Sequence, residues 1–193
     1  MAHIGVAGYM GAGKSTVAQI LKKHIPCRVI DADNDAKQLM NGNEKIRKDL
    51  VAAFGSDIIG DNTIIFHKLG EYVFRSLQNL KLLNSIVHPE LLKHLASELE
   101  KNRKGNVICD AALIPLWGIE SWFDTAIWIH ADHSIRRHRL ESSGKLDPAA
   151  IEKRMRLQEM LFDAPSGKPW YIIENNSVIS TLEKGMKKLL EKR

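Results

Sequence analysis

Apolar residues along this chain are grouped into short runs separated by longer amphipathic stretches. The runs lie at about residues 2–7, 27–31, 106–110, 125–130 and 170–174, and their composition predicts buried β-strands. The stretches between them have helical character. Alternation of strands and helices is typical of a parallel sheet covered on both faces. The pattern therefore predicts an α/β protein with a three-layer, parallel five-stranded sheet.

Residues 34–104 hold more predicted helix than a single crossover connection requires. Within them, Pro89 is expected to open a helix that runs to about Arg103. We expect one domain from the length of 193 residues. Its core comprises about 1–33, 105–135 and 168–193, its helical substrate-binding insertion about 34–104, and its small helical lid about 136–167.

The strongest chemical signal is a complete G-x-x-x-x-G-K-[ST] phosphate loop that lies between the first predicted strand and a helical segment. Its glycines allow backbone N–H groups to surround a phosphate chain at a helix N-terminus. Lys14 is expected to reach the β- and γ-phosphates, and the Ser15 hydroxyl to ligate Mg²⁺. The pattern predicts a nucleoside triphosphate site. Its residues are Gly8, Gly11, Ala12, Gly13, Lys14, Ser15 and Thr16.

Acidic residues follow two of the predicted strands. Asp31 and Asp33 come after the second apolar run, at the sheet edge where parallel sheets bind ligands. They are expected to share one side if the strand continues, or one of them caps a helix that begins near Asn34. A carboxylate there is a candidate general base. Asp110 ends the third run and is a candidate support for Mg²⁺, although aspartate also favours turns.

The net charge of +5 suits a polyanionic ligand. Arginine neutralises a transferring phosphoryl group well, so the basic segment is expected to form the lid. It lacks interleaved aromatic residues, which argues against nucleic acid as a partner. No apolar run approaches the length of a membrane helix, so we expect no membrane partner. The basic residues are Arg136, Arg137, Arg139, Lys145, Lys153, Arg154 and Arg156.

Cysteine usage points to the compartment. Cys27 and Cys109 show no metal-like spacing. Isolated thiols of this kind are typical of buried structural cysteines in a reducing cytosol. We therefore expect a cytoplasmic protein.

Taken together, these motifs resemble the dephospho-coenzyme A kinase family, and the resemblance spans almost the whole chain. The aspartate run at this distance from the phosphate loop, joined to His88-Pro89, separates this family from adenylate, shikimate and gluconate kinases. The matching segments are Gly13 to Ala18, Val29 to Asp33, Phe54-Gly55, Leu83 to Pro89, Arg139-Leu140, Arg154 to Gln158, and Glu174 to Asn176.

The resemblance implies ATP-dependent phosphorylation of the 3′-hydroxyl of dephospho-CoA, with Mg²⁺ as cofactor. It does not imply an obligate protein partner. It makes Asp33 the catalytic base, Lys14 the phosphate-bridging lysine and Arg139 the lid arginine that meets the transferred group. Asn175 takes the place of a residue near the adenine. His88 and Leu113 are assigned to the acceptor side, although His88 equally fits a junction before a proline.

The chain departs from the family pattern on the acceptor side. Leu116 occupies a position that is usually glutamate. An arginine that is common before Leu69 appears here as Phe66 or is displaced to Lys68. A glutamine that precedes the lid arginine is Arg136 here, and a second lid arginine is Ser143. These changes leave the nucleotide-binding motifs intact. They lie on the acceptor side, so they bear on which acceptor the protein uses.

Other functions remain open from the residues alone. One is a different small phosphate-loop kinase that acts on a metabolite or nucleoside. Another is a non-catalytic nucleotide-binding switch, although the guanine-reading Asn-Lys-x-Asp is absent. A dinucleotide fold is disfavoured because Thr16 stands where its fingerprint requires a third small residue.

Overall fold

A computed structural model describes residues 2–177 and 179–191. The strands are β1 (His3–Ala7), β2 (Arg28–Asp31), β3 (Ile59–Gly60), β4 (Thr63–Ile64), β5 (Val107–Asp110), β6 (Thr125–His130) and β7 (Trp170–Glu174). The helices are α1 (Lys14–His24), α2 (Ala32–Gly42), α3 (Glu44–Phe54), α4 (Phe66–Val73), α5 (Leu77–Lys101), α6 (Ile114–Trp117), α7 (His133–Ser142), α8 (Pro148–Leu161) and α9 (Ile179–Glu191).

Five strands form a parallel sheet in the order β2-β5-β1-β6-β7. The prediction of a parallel five-stranded sheet is confirmed, and each predicted strand lies within a residue of its observed bounds. β3 and β4 form a separate antiparallel hairpin. β7 lies at one end of the order, so it pairs with a single strand of the described sheet.

The chain divides into two compact units. The first comprises Met1–Asp31 and Leu99–Arg193, and the second comprises Ala32–Glu98. The predicted division into core, substrate insertion and lid stays a prediction. Met1, Val178, Lys192 and Arg193, which the predicted core includes, lie outside the described residues.

One face of the sheet in the first unit packs against α1 and α9. Their apolar residues meet alternate residues of β1 and β6, because successive side chains of a strand point to opposite faces. This cluster fixes the strand that leads into the phosphate loop and the helix that follows it. Its buried members include Ile4, Val6, Val17, Leu21, Ile127, Ile129, Leu182 and Met186.

The opposite face of the sheet carries an aromatic group. The ring centroid of Trp128 in β6 lies 5.0 Å from that of Tyr9 and 6.3 Å from that of Phe162. Trp170 at the start of β7 adds a further edge-on contact, at 6.5 Å from Trp128. Such edge-on aromatic pairs add to the stability that burial provides. The group therefore anchors the segment after α8 beside the phosphate loop.

The second unit is mainly helical and has its own core. The long helix α5 contributes a buried stripe of leucine and valine at helical spacing: Leu80, Val87, Leu91 and Leu95. This stripe runs on both sides of Pro89, so packing carries the helix through a residue that cannot donate a backbone hydrogen bond. The prediction that Pro89 opens a helix was wrong for this reason.

Two further expectations need correction. The helix predicted near Asn34 begins at Ala32, directly after β2 ends at Asp31, so extended alternation does not continue to Asp33. Cys109 is buried as expected, whereas Cys27 is only partly buried.

Candidate active site

The phosphate loop connects β1 to α1 in the predicted order. Gly11 and Gly13 adopt positive φ values of 76° and 99°, which other residues rarely tolerate. A Cβ on Gly13 would lie 2.4 Å from Asn175 Nδ2, and a Cβ on Gly11 would lie 2.7 Å from the Arg136 carbonyl oxygen. The neighbouring backbone therefore requires glycine at Gly11, and a side chain on Gly13 would have to displace the Asn175 amide.

Ser15 and Asp110 meet at the end of the loop. The Ser15 hydroxyl donates a 2.7 Å hydrogen bond to Asp110 Oδ2, and the Asp110 carboxyl is buried at the end of β5. This contact supports the interpretation of Asp110 as an acid of the site rather than a turn residue. A hydroxyl and a carboxylate are oxygen ligands of the kind that Mg²⁺ prefers. The residues present therefore fit a magnesium site.

The phosphate-bridging candidate Lys14 is the first residue of α1 and is partly exposed. It follows Gly13, and the next residue is Ser15. Free N–H groups and positive potential occur together at a helix N-terminus, so Lys14 adds charge where an anion is already favoured. Thr16 is exposed in the same turn.

Asp31 and Asp33 differ in their placement. Asp31 ends β2 in register with Asp110 of the neighbouring strand β5. Asp33 is exposed in the first turn of α2, where a negative charge is favoured by the helix dipole. Asp33 belongs to the second unit, whereas Asp31 belongs to the first.

Arg139 and Asn175 both contact the phosphate loop. Arg139 Nη1 donates to the carbonyl oxygens of Gly11 and Ala12 at 3.3 and 3.4 Å, and Nη2 donates to the Asn175 carbonyl at 2.8 Å. The buried Asn175 amide donates to the Ala12 carbonyl at 2.7 Å. The structure thus brings Arg139 and Asn175 together with the loop.

Three contacts to the loop and lid were missed by sequence reasoning. Gln158 of α8 accepts a 2.7 Å hydrogen bond from the Met10 N–H. Asn176 accepts one from the Asp132 N–H at the start of α7, at 2.8 Å. The third contact is the approach of Arg136 to Tyr9. Each contact joins residues that are distant along the chain, so no local sequence pattern predicts it.

The acceptor-side candidates lie in both units. Leu113 is half-buried immediately before α6 in the first unit, where Leu116 is exposed. Burial lowers the pKa of His88 in α5 to about 4. His88 is therefore neutral at pH 7, and its imidazole brings no positive charge to an anionic acceptor. Phe66 begins α4, with Lys37 Nζ 5.9 Å from its ring centroid.

The second unit contains a cavity of about 490 Å³ between residues of α2, α3 and α5. His94 Nε2 lies 3.2 Å from Asp35 Oδ2 on its wall. The cavity is large enough for part of an extended organic substrate. Its lining consists of Asp35, Gln38, Leu39, Gly42, Asn43, Glu44 and His94.

Comparison with known proteins gives one consistent result. The family model described as dephospho-CoA kinase matches residues 2–180, which is nearly the whole chain. The chain belongs to the dephospho-CoA kinase family. This places it among the phosphotransferases and confirms the resemblance inferred from its motifs.

Individual members of the dephospho-CoA kinase family show how far the similarity extends. The dephospho-CoA kinase of Helicobacter pylori (strain 26695) is 30% identical over 192 residues, which cover 97% of this chain and 95% of that protein. The dephospho-CoA kinase of Geobacillus kaustophilus is 34% identical over 141 residues, which cover 71% and 70%.

Solved structures give the same fold. The crystal structure of TT1252 from Thermus thermophilus has a TM-score of 0.72 and 26% identity, covering 98% of this chain and 96% of that one. The dephospho-CoA kinase of Campylobacter jejuni, at 19% identity and a TM-score of 0.59, shares the fold. A shikimate kinase from Acinetobacter baumannii also shares it, at 13% identity and a TM-score of 0.53.

Proposed function

We propose that this chain transfers the γ-phosphoryl group of ATP to the 3′-hydroxyl of dephospho-CoA, giving coenzyme A and ADP. The observation that carries the phosphoryl-transfer chemistry is the hydrogen bond between Ser15 and the buried Asp110 beside the phosphate loop. Membership of the dephospho-CoA kinase family supplies the acceptor.

Mg²⁺ is the proposed cofactor, held by Ser15 with Asp110 beside it. When bound, the ion neutralises charge on the β- and γ-phosphate oxygens. The protein's own contribution is to position the triphosphate, through the loop N–H groups and the Lys14 ammonium. Phosphoryl transfer depends mainly on such positioning and charge stabilisation, so few protein groups need to react.

Asp33 is the proposed general base. It follows Asp31, the last residue of β2, by two residues along the chain. A carboxylate within hydrogen-bond reach of the attacking hydroxyl can accept its proton. We further propose Leu113 and His88 as acceptor contacts, and the cavity between α2, α3 and α5 as a place for part of that substrate.

The remaining proposals concern the cell. We propose that the protein works in the cytoplasm, on ATP and dephospho-CoA, without nucleic acid, membrane or an obligate protein partner. Among the residues that the structure describes, no helix has the length and apolar character needed to cross a bilayer.

The acceptor is tested by measuring ATP–Mg²⁺ consumption against dephospho-CoA, adenosine, AMP, shikimate and gluconate. Binding energy from the remote pantetheine arm of dephospho-CoA can orient the 3′-hydroxyl. We expect dephospho-CoA to exceed adenosine in kcat/KM by at least about 10²-fold, if the arm contributes about 3 kcal/mol. Because Leu116 and Phe66 depart from the family pattern on the acceptor side, a modest absolute rate with dephospho-CoA would still agree with the proposal.

A preference for a sugar acid or a nucleoside monophosphate would overturn the proposed acceptor. The alternative function would then be another small phosphate-loop kinase. Absence of turnover with every acceptor, together with tight ATP binding, would instead favour a nucleotide-binding switch.

Arg139 is proposed to act mainly in the transition state. We expect Arg139→Ala to lower kcat by about 10²-fold or more, while the calorimetric Kd for ATP changes much less. Arg137→Ala is the matched control, because Arg137 is exposed on the same helix and pairs with Glu141 at 2.9 Å. Lost ATP affinity with unchanged kcat would make Arg139 a ground-state clamp, as its contacts to the loop carbonyls also permit.

A further inference from the structure

Arg136 is a buried arginine within the most basic segment of the chain, with only 4% of its surface exposed. Its Nε donates to the Ala131 carbonyl at 3.1 Å, and its Nη2 contacts the Glu159 carboxylate of α8. Nη1 is buried without a hydrogen-bond partner in the described part of the chain. A buried guanidinium is costly to desolvate, so the Glu159 charge is needed to hold it there.

The Arg136 guanidinium also lies against the phosphate loop. Its central carbon is 5.1 Å from the ring centroid of Tyr9, the second residue of the loop motif, a distance typical of a cation–π contact. The main chain of Arg136 approaches the loop as well, since a Cβ on Gly11 would lie 2.7 Å from its carbonyl oxygen.

The helix that carries Glu159 holds the same part of the loop from a second direction. Gln158, the preceding residue, accepts the hydrogen bond from the Met10 N–H. The Tyr9 hydroxyl donates a 2.9 Å hydrogen bond to the Phe162 carbonyl, one residue beyond α8. Burial raises the pKa of the Tyr9 hydroxyl above its ordinary value.

These contacts form one connected arrangement, which we call the Arg136 brace: Tyr9, Met10, Arg136, Gln158, Glu159 and Phe162. The Arg136–Glu159 ion pair joins α7 to α8, and both helices contact Tyr9 to Gly11. The catalytic groups Lys14 and Ser15 lie beyond this stretch. The brace therefore shapes the first half of the loop without occupying the phosphate site.

We propose that Arg136 is a positioning residue, which holds the phosphate loop in its nucleotide-binding form through Tyr9 and the Glu159 ion pair. A loop whose N–H groups surround a phosphate chain must be held to a fraction of an ångström, and small displacements by remote changes cost large factors. Nucleotide affinity is therefore expected to depend on a residue that does not contact the nucleotide. This inference rests on the proposed ATP site.

The test compares Arg136→Gln with Arg137→Gln in the full-length protein. Calorimetry measures the Kd for the non-hydrolysable analogue AMP-PNP with Mg²⁺, and steady-state kinetics give KM for ATP and for dephospho-CoA. We expect Arg136→Gln to raise the Kd for AMP-PNP and the KM for ATP about tenfold, with the KM for dephospho-CoA within about twofold. Arg137→Gln is expected to leave all three within about twofold.

Tyr9→Leu supplies a second route if Arg136→Gln does not fold. It removes the ring that Arg136 contacts and leaves the ion pair with Glu159 in place. We expect a similar rise in the Kd for AMP-PNP, and the double variant to show less than the product of the two single effects. Thermal melting followed by circular dichroism shows whether each variant is folded, so that a loss of affinity can be distinguished from a loss of folding.

A folded Arg136→Gln or Tyr9→Leu variant with wild-type affinity for AMP-PNP would overturn the proposal. So would equal rises in the KM values for both substrates, which a purely structural role predicts. Failure of the proposed function is distinct: the wild-type protein would bind AMP-PNP and leave dephospho-CoA unphosphorylated.

Discussion

Replacement of Lys14 by alanine is expected to lower kcat by several orders of magnitude. Lys14 begins α1 next to Gly13 and Ser15, where its ammonium adds to the positive potential of the helix N-terminus. In phosphoryl transfer the positive charge of Lys14 neutralises the negative charge that develops on the β- and γ-phosphates. A preorganised contact of this kind is worth about 10²–10³ in rate for one hydrogen-bond donor, and a full charge contributes more.

The measurement is single-turnover phosphorylation of dephospho-CoA at saturating ATP–Mg²⁺, with circular dichroism to confirm folding. Lys23→Ala is the matched control, since Lys23 is an exposed lysine in the last turn of the same helix. Near-normal kcat in the Lys14 variant would contradict the assignment of the phosphate loop.

Asp33→Asn is expected to lower the chemical step by about 10²–10⁴-fold and to preserve the affinity for ATP. The amide keeps the size of the side chain but cannot accept the proton of the attacking hydroxyl at neutral pH. Asp33 is exposed in the first turn of α2, so the substitution removes no buried packing. Rapid-quench kinetics measure the step, and calorimetry measures the Kd for ATP.

Asp31→Asn is the matched control for this prediction, two residues earlier at the end of β2. It is expected to cost less than Asp33→Asn. Equal losses in the two variants, or a loss of ATP binding alone, would point to metal support or helix capping at these positions.

The sheet and the phosphate loop were predictable because their signals are local. Each strand is a short apolar run, and the glycines and Lys14-Ser15 lie together in eight residues. Only part of the Ser15–Asp110 contact could be predicted from the sequence. The pattern places Asp110 at a strand end, whereas the 2.7 Å hydrogen bond depends on β5 lying next to β1 in the sheet.

Other features depend on tertiary packing and could not be predicted from the sequence. Pro89 has the local preference of a helix start, but the buried stripe from Leu80 to Leu95 outweighs it. Arg136 lies in a run of charges that is typical of an exposed helix face. Its burial depends on Glu159, 23 residues away, and on Tyr9 at the other end of the chain.

The position of β7 at the end of the sheet has a consequence for the behaviour of the protein in concentrated solution. Its outer edge has no strand partner in the described sheet, and Tyr171 and Ile172 are 52% and 42% exposed. An open edge with apolar side chains is a template for pairing with another molecule. Pro169, immediately before β7, has no backbone N–H and limits such pairing at the start of the strand. We therefore expect aggregation during expression and concentration to begin at this strand. This property is independent of phosphoryl transfer.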